Sequence, residues 1–178
     1  MLRNLGKEIE IGTANVTVDG LVATFSDKLG QISVQIPDSA QCVVVQNAIK
    51  VTANQVAGQM AMIGTFIALV KQSIVGVTSG HSRIVNFTGT GASVKISNGF
   101  LEMKLGKSHT IFKQIPEGIK CNIESSDIRQ TRLKVFGISN QQVGQFASEL
   151  RIKRVYKGGI HAWVDGDKVF IKKRKGAK

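Results

Sequence analysis

The chain repeats itself, and that constrains its fold more than any other feature of the sequence. Val16-Thr17-Val18-Asp19-Gly20 recurs as Val94-Lys95-Ile96-Ser97-Asn98-Gly99, which sets Gly20 and Gly99 79 residues apart. Gln35-Ile36-Pro37-Asp38 recurs as Gln114-Ile115-Pro116-Glu117, and Cys42 as Cys121, at the same offset of 79. The only two prolines and the only two cysteines are therefore equivalent pairs. Asn54-Gln55-Val56-Ala57-Gly58-Gln59 resembles Asn140-Gln141-Gln142-Val143-Gly144-Gln145 at an offset of 86, so the second copy has gained residues between its proline and its helix. A duplicated module in 178 residues leaves roughly 80 residues per copy, near the lower end of what folds alone. The expected division is 1–82 and 83–178.

Each copy reads the same way. Asp19-Gly20 and Asn98-Gly99 are strong hairpin signals, because positive φ costs Gly little and Asn or Asp tolerates it, and each is flanked by β-branched and apolar residues. A two-stranded hairpin is predicted to open each module. Leu29-Gly30 and Leu105-Gly106 mark a further turn, and the Ile-Pro pairs end an extended segment, since the residue before proline is pushed out of the helical region. Strands are predicted over 42–45, 48–52, 120–123 and 132–136. Asn54 can cap a helix over 54–75, and Ser139 or Asn140 one over 140–153. Val56, Met60, Ile63, Ile67, Val70 and Ile74 step by three and four along one apolar stripe, as do Val143, Phe146, Ala147 and Leu150. The expected fold class is α+β: two tandem copies of a small module, each a mostly antiparallel β-sheet packed against one α-helix.

Charge adds the first functional constraint. Residues 1–127 hold 11 Lys/Arg against 9 Asp/Glu, and residues 128–178 hold 13 against 3. A one-signed block beside a neutral body is an electrostatic footprint for a polyanion. No run approaches 18 consecutive apolar residues and the basic end lacks amphipathic patterning, so nucleic acid is preferred to a membrane. Two distant cysteines without CxxC or CxxH pairing give neither a zinc signature nor a disulfide framework, which fits a reducing compartment. Residues 1–10 are charged and polar, without the apolar stretch of a signal peptide.

The second copy carries a recognisable series of residues. It runs Leu105-Gly106-Lys107-Ser108-His109, Ile115-Pro116-Glu117-Gly118-Ile119 and Gly137-Ile138, then Gln142-Val143-Gly144-Gln145-Phe146-Ala147-Ser148-Glu149-Leu150-Arg151. In order and spacing this resembles the C-terminal domain of the sixth large-subunit ribosomal protein of the bacterial type. The N-terminal half follows less literally, through the Val-Thr-Val-Asp-Gly hairpin, Lys28-Leu29-Gly30 and Val75-Gly76-Val77-Thr78-Ser79-Gly80. The resemblance implies two tandem copies of one α+β fold and a structural role in the ribosome. It also implies binding to large-subunit ribosomal RNA near the sarcin-ricin loop, mainly through the C-terminal domain. Neighbouring ribosomal proteins would be partners and translational GTPases would land nearby, with no membrane and no homo-oligomer expected. Where the family has Pro-Glu-Pro-Tyr-Lys-Gly-Lys-Gly-Ile, this chain has Arg154-Val155-Tyr156-Lys157-Gly158-Gly159-Ile160, without the prolines or the second lysine. Residues 161–178 also depart from the usual tail. Such drift suits a mitochondrial member; a divergent bacterial one, in the cytoplasm, is the alternative.

Candidate rRNA-binding residues follow from both lines. Tyr156, Lys157, Gly158 and Gly159 combine an aromatic face, a cation and two glycines that admit close backbone approach to phosphate oxygens; an ordinary surface turn is the plainer reading. Arg151, Lys153 and Arg154 precede them. Lys168, Lys172, Lys173, Arg174, Lys175 and Lys178 form the densest cationic run, either ordered on RNA over a small hairpin at 164–171 or a solvated tail. His161 and Trp163 could stack on an unpaired base or pack on the module. Ser108 and His109 have no first-module counterpart; a structural histidine is the commoner outcome there. Cys42 and Cys121 are read as small core residues. No nucleophile elbow, phosphate loop or HExxH occurs, and the three histidines lie in unrelated contexts, so neither catalysis nor a cofactor or metal is expected. A free RNA- or DNA-binding regulator would use the same basic third, but no helix-turn-helix or RRM aromatic signature is visible.

Overall fold

The computed structural model describes residues 8–38, 40–45, 48–53, 60–89, 91–105, 109–127, 130–152 and 161–165. The chain divides into two compact units, Met1–Ser82 with Phe136–Val143, and Arg83–Val135 with Gly144–Lys178.

The first unit contains β1 (Glu8–Glu10), β2 (Asn15–Asp19), β3 (Val22–Asp27), β4 (Gly30–Gln35), β5 (Ala40–Val45), β6 (Ala48–Ala53) and α1 (Met60–Thr78). They form two antiparallel sheets, β2-β3-β4 and β1-β6-β5. Alternation decides which residues face inward. In β3, Ala23 and Phe25 are fully buried while Val22 and Thr24 look outward. Helix α1 packs on β3 and β4. The stripe Ile63, Ile67, Val70 and Ile74 is buried as its spacing predicts, joined by Phe66 and Val77. Val56, the Asn54 cap and the Met60 side chain lie outside the described residues. The window Ala61–Thr78 has a mean hydropathy of 1.5, long and apolar enough to cross a membrane by composition, yet the helix supplies the core of this unit. Its C-terminus is closed by Gly80, at φ 75°, with Ser79 and Gly80 N–H groups both donating to the Val75 carbonyl.

The remaining elements are β7 (His81–Thr88), β8 (Ser93–Ser97), β9 (Phe100–Lys104), β10 (Ile111–Gln114), β11 (Ile119–Ser126), β12 (Gln130–Gly137), α2 (Asn140–Ile152) and β13 (His161–Val164). Their sheets run β8-β9-β10 and β11-β12-β7-β13. With β13 set aside, these are the sheet orders of the first unit repeated, strand for strand. Ser139 caps α2, its Oγ accepting from the Gln142 N–H at 3.4 Å. Val143, Phe146, Ala147 and Leu150 are all buried.

The repeat extends to single hydrogen bonds. Ala40 N–H donates to the Pro37 carbonyl, and Ile119 N–H to that of Pro116. Ile36 N–H donates to the Leu21 carbonyl, and Ile115 N–H to that of Gly99. That second pair shows where an offset of 79 fails. Asp19 pairs with Val22 and Ser97 with Phe100, so the register equates Gly20 with Asn98, one residue short of the sequence match. The first hairpin turns on Gly20-Leu21, with positive φ at Gly20 alone, whereas the second turns on Asn98-Gly99, positive at both. The missing residue is made up between β9 and β10: Ser26 faces Gln31 across a short turn, while the equivalent return spans 105–110.

Three further expectations need correction. Each unit is built of two sheets, because β4 and β10 end at the Ile-Pro pair and the chain starts a new sheet beyond it. The hairpin does not open either module; β1 and β7 precede it. Residues 8–10, Glu-Ile-Glu, are too short and charged to signal a strand, although Ile9 is buried. Cys42 and Cys121 are half-buried rather than enclosed, since β5 and β11 lie at sheet edges with one side uncovered. Burial still raises both thiols, Cys121 to about 11.

Candidate nucleic-acid interface

Charge divides between the units more sharply than along the sequence. The first 82 residues hold five Lys/Arg and five Asp/Glu, and 136–143 hold none; the rest of the chain holds 19 against 7. The whole net charge of +12 therefore belongs to the second unit.

Two elements of that unit flank the predicted site. Helix α2 ends at Ile152 with Arg151, an exposed cation, in its last turn. Its outward side is tied to β10 by an ion pair between Lys113 and Glu149. Hydrogen bonds from Lys113 and then Gln145 hold the Glu149 carboxyl below the usual carboxylate range. On the far side of 153–160, β13 adds antiparallel to the edge of β7, with His161 opposite Thr88 and Val164 opposite Val85. Val164 is buried, on the same face as Val85. His161 and Trp163 take the opposite face, the first exposed and the second partly covered.

The strand ends at a polar lock. Asp165 N–H donates to the Ile84 carbonyl at 2.9 Å, and Asn86 Nδ2 donates to the Asp165 carboxylate at 2.7 Å. Asn86 is 2% exposed, between Val85 and Phe87, both fully buried. Gln130 Nε2 completes it with a long contact of 3.5 Å to Asn86 Oδ1. Paired amides and a carboxylate are the form in which polar groups survive such burial. Asp165 is therefore held at a fixed point on the edge of β7. The sequence reading missed Asn86; its signal is one amide inside the apolar run Ile84-Val85-Asn86-Phe87.

Of the candidate site residues, Arg151 and His161 occupy the two flanks just described. His109 lies exposed in the connection before β10, on another sheet. His81, at the start of β7, is hydrogen-bonded: its Nε2–H donates to the Gln72 carbonyl at 2.9 Å. Ser108, Lys153, Arg154, Tyr156, Lys157, Gly158, Gly159, Lys168, Lys172, Lys173, Arg174, Lys175 and Lys178 lie outside the described residues, as does all of the hairpin expected over 164–171 beyond Asp165.

Residues 88–156 match the family model described as Ribosomal protein L6. The chain is 35% identical over 164 residues to the large ribosomal subunit protein uL6 of Polynucleobacter necessarius, covering 90% of this chain and 86% of that one. It is 34% identical to uL6 of Mycoplasma genitalium over 76% of this chain and 74% of the other, and 33% identical to that of Bordetella parapertussis over 96% and 92%. The chain belongs to the ribosomal protein L6 family. An L6 protein is a structural protein and not an enzyme. The relatives' matches extend well beyond 88–156, so the L6 likeness reaches into the neutral first unit as well.

Proposed function

We propose that this L6 protein is a structural constituent of the large ribosomal subunit that binds ribosomal RNA through its second unit, near the sarcin-ricin loop and beside the landing site of translational GTPases. The observation that carries this reading is the confinement of the whole net charge to one of two otherwise equivalent folds. Arg151, Lys153, Arg154 and the segment Tyr156-Lys157-Gly158-Gly159, with His161, form the fixed part of the contact. Lys168, Lys172, Lys173, Arg174, Lys175 and Lys178 add a diffuse cationic term, and Ser108 and His109 a second point. The first unit meets solvent or neighbouring ribosomal proteins. We place the protein in a mitochondrial ribosome on the lost prolines and the altered tail; the bacterial sources of its relatives favour a bacterial ribosome instead, and cell fractionation separates the two.

The test is a salt series of binding to large-subunit rRNA. Lys157→Ala should lower the log-log slope by a little under about one unit, as for one phosphate contact. Gly158→Val should lose more affinity than that, because a β-branched side chain blocks close backbone approach. A single Lys→Ala in 172–178 should be mild. Wild-type binding by Gly158→Val removes this segment from the interface. A protein found free of large subunits in a gradient at low salt removes the ribosomal reading itself.

A further inference from the structure

Of the seven phenylalanines described, five are buried or half-buried; the exceptions are Phe112, 63% exposed, and Phe100, 44% exposed. Both stand on the outer face of the sheet β8-β9-β10. The register sets Lys95, Glu102 and Phe112 in one row across the three strands, and Ser97, Phe100 and Gln114 in the next. Phe112 and Phe100 are therefore diagonal neighbours, about 7–8 Å apart. Lys104 closes the same face on β9. The opposite face is the core side, where Leu101 and Met103 are buried.

The duplication supplies a control within the chain. The positions equivalent to Lys95, Glu102 and Phe112 in the first unit are Thr17, Thr24 and Ser33, with Val22 for Phe100 and Ser26 for Lys104. Thr24 and Ser33 hydroxyls lie 3.5 Å apart there, on a face whose one charge is the carboxylate of Asp19. The fold thus has no need of aromatic residues or cations on this sheet. The two phenylalanines and the two lysines occur in the basic unit only, where the first unit has Val22, Ser33, Thr17 and Ser26.

We propose that the outer face of β8-β9-β10 is a stacking platform for unpaired bases of ribosomal RNA, with Phe112 and Phe100 as the stacking surfaces and Lys95 and Lys104 meeting the flanking phosphates. The inference rests on the rRNA-binding reading above but concerns a separate surface. Charge complementarity favours RNA as the occupant, for the cations outnumber the one carboxylate, Glu102. An exposed aromatic on a sheet flanked by cations is the arrangement that binds splayed bases. Glu102, beside Phe112, can accept a hydrogen bond from the exocyclic amino group of a stacked base.

The experiment measures binding of the full chain to large-subunit rRNA across a salt series. The Phe100→Ala/Phe112→Ala double variant should bind about five- to a hundred-fold more weakly, as expected for lost base stacking, with an unchanged salt slope. Phe112→Trp should bind like wild type, and Phe112→Leu should weaken binding as much as Phe112→Ala does, since leucine keeps the apolar area but not the π face. Circular dichroism checks that each variant is folded. Wild-type binding by the double variant, or by Phe112→Leu, overturns the platform while leaving rRNA binding intact. If the wild-type chain itself fails to bind, both proposals fall.

Discussion

Asn86 is the side chain on which the second unit's closing strand depends. Its amide is buried, and it alone among the described residues bonds the Asp165 carboxylate. Asn86→Leu removes that donor, and because Asp165 is exposed and can turn to water the cost in urea unfolding should be that of the lost hydrogen bond, about 0.5–1.5 kcal/mol. Asp165→Ala removes the acceptor of the same bond and should add little in the Asn86→Leu background, and a double-mutant cycle would measure the coupling. Cys121 makes a pH-dependent prediction. Burial holds the folded thiol near 11, above its ordinary value of 9. Alkylation by iodoacetamide should therefore stay slow at neutral pH and accelerate towards pH 11. The sign for stability follows: the folded form holds its proton more tightly, so the contribution is complete below pH 9 and is lost as pH climbs from 9 towards 11. Both cysteines were legible as an equivalent pair. Their half-exposure was not, because the residue type does not reveal that a strand will lie at a sheet edge.

At the scale of elements, the sequence carried most where chemistry leaves one solution. The Ile-Pro pairs ended strands as predicted, and the helical stripe was buried where its residues are described. The first hairpin was harder, since Asp19-Gly20 and Gly20-Leu21 are both acceptable turns with glycine at positive φ, and only cross-strand packing selects between them. β1 was invisible because its three residues gain their place from pairing with β6 and not from propensity. The closure of α1 is more strictly specified. Gly80 adopts a left-handed conformation, and a methyl group built on it would collide with the Phe136 ring. Gly80→Ala should cost more than about 1 kcal/mol, the strain alone amounting to roughly that. Thermal unfolding would show the loss; an unchanged midpoint would mean that neither the left-handed backbone nor the Phe136 ring resists the methyl group.

Over the whole molecule, the chain passes between the two units more than once. Phe136–Val143 belongs with the first unit, and Ile138 packs against its core cluster. A fragment of residues 1–82 therefore lacks part of its own interior. It should unfold at a lower temperature than the full chain, and adding residues 136–143 as a peptide should raise its midpoint. Two independent transitions in the full chain, the first matching the fragment's, would contradict this. The repeat itself announced two modules, but a segment lent by one copy to the other leaves no mark in composition or period, since Ile138 reads equally well as a residue of its own module.

That loan also sets an order of events during synthesis. The first 82 residues emerge without Ile138, and about 60 more must be added before Val143 appears. At roughly 5–20 residues per second the wait is several seconds, long beside the folding times of small domains. The N-terminal unit is thus born before it can be finished. Protease protection of arrested nascent chains should strengthen across residues 8–82 only once the arrest point lies far enough beyond 143 for that segment to be free.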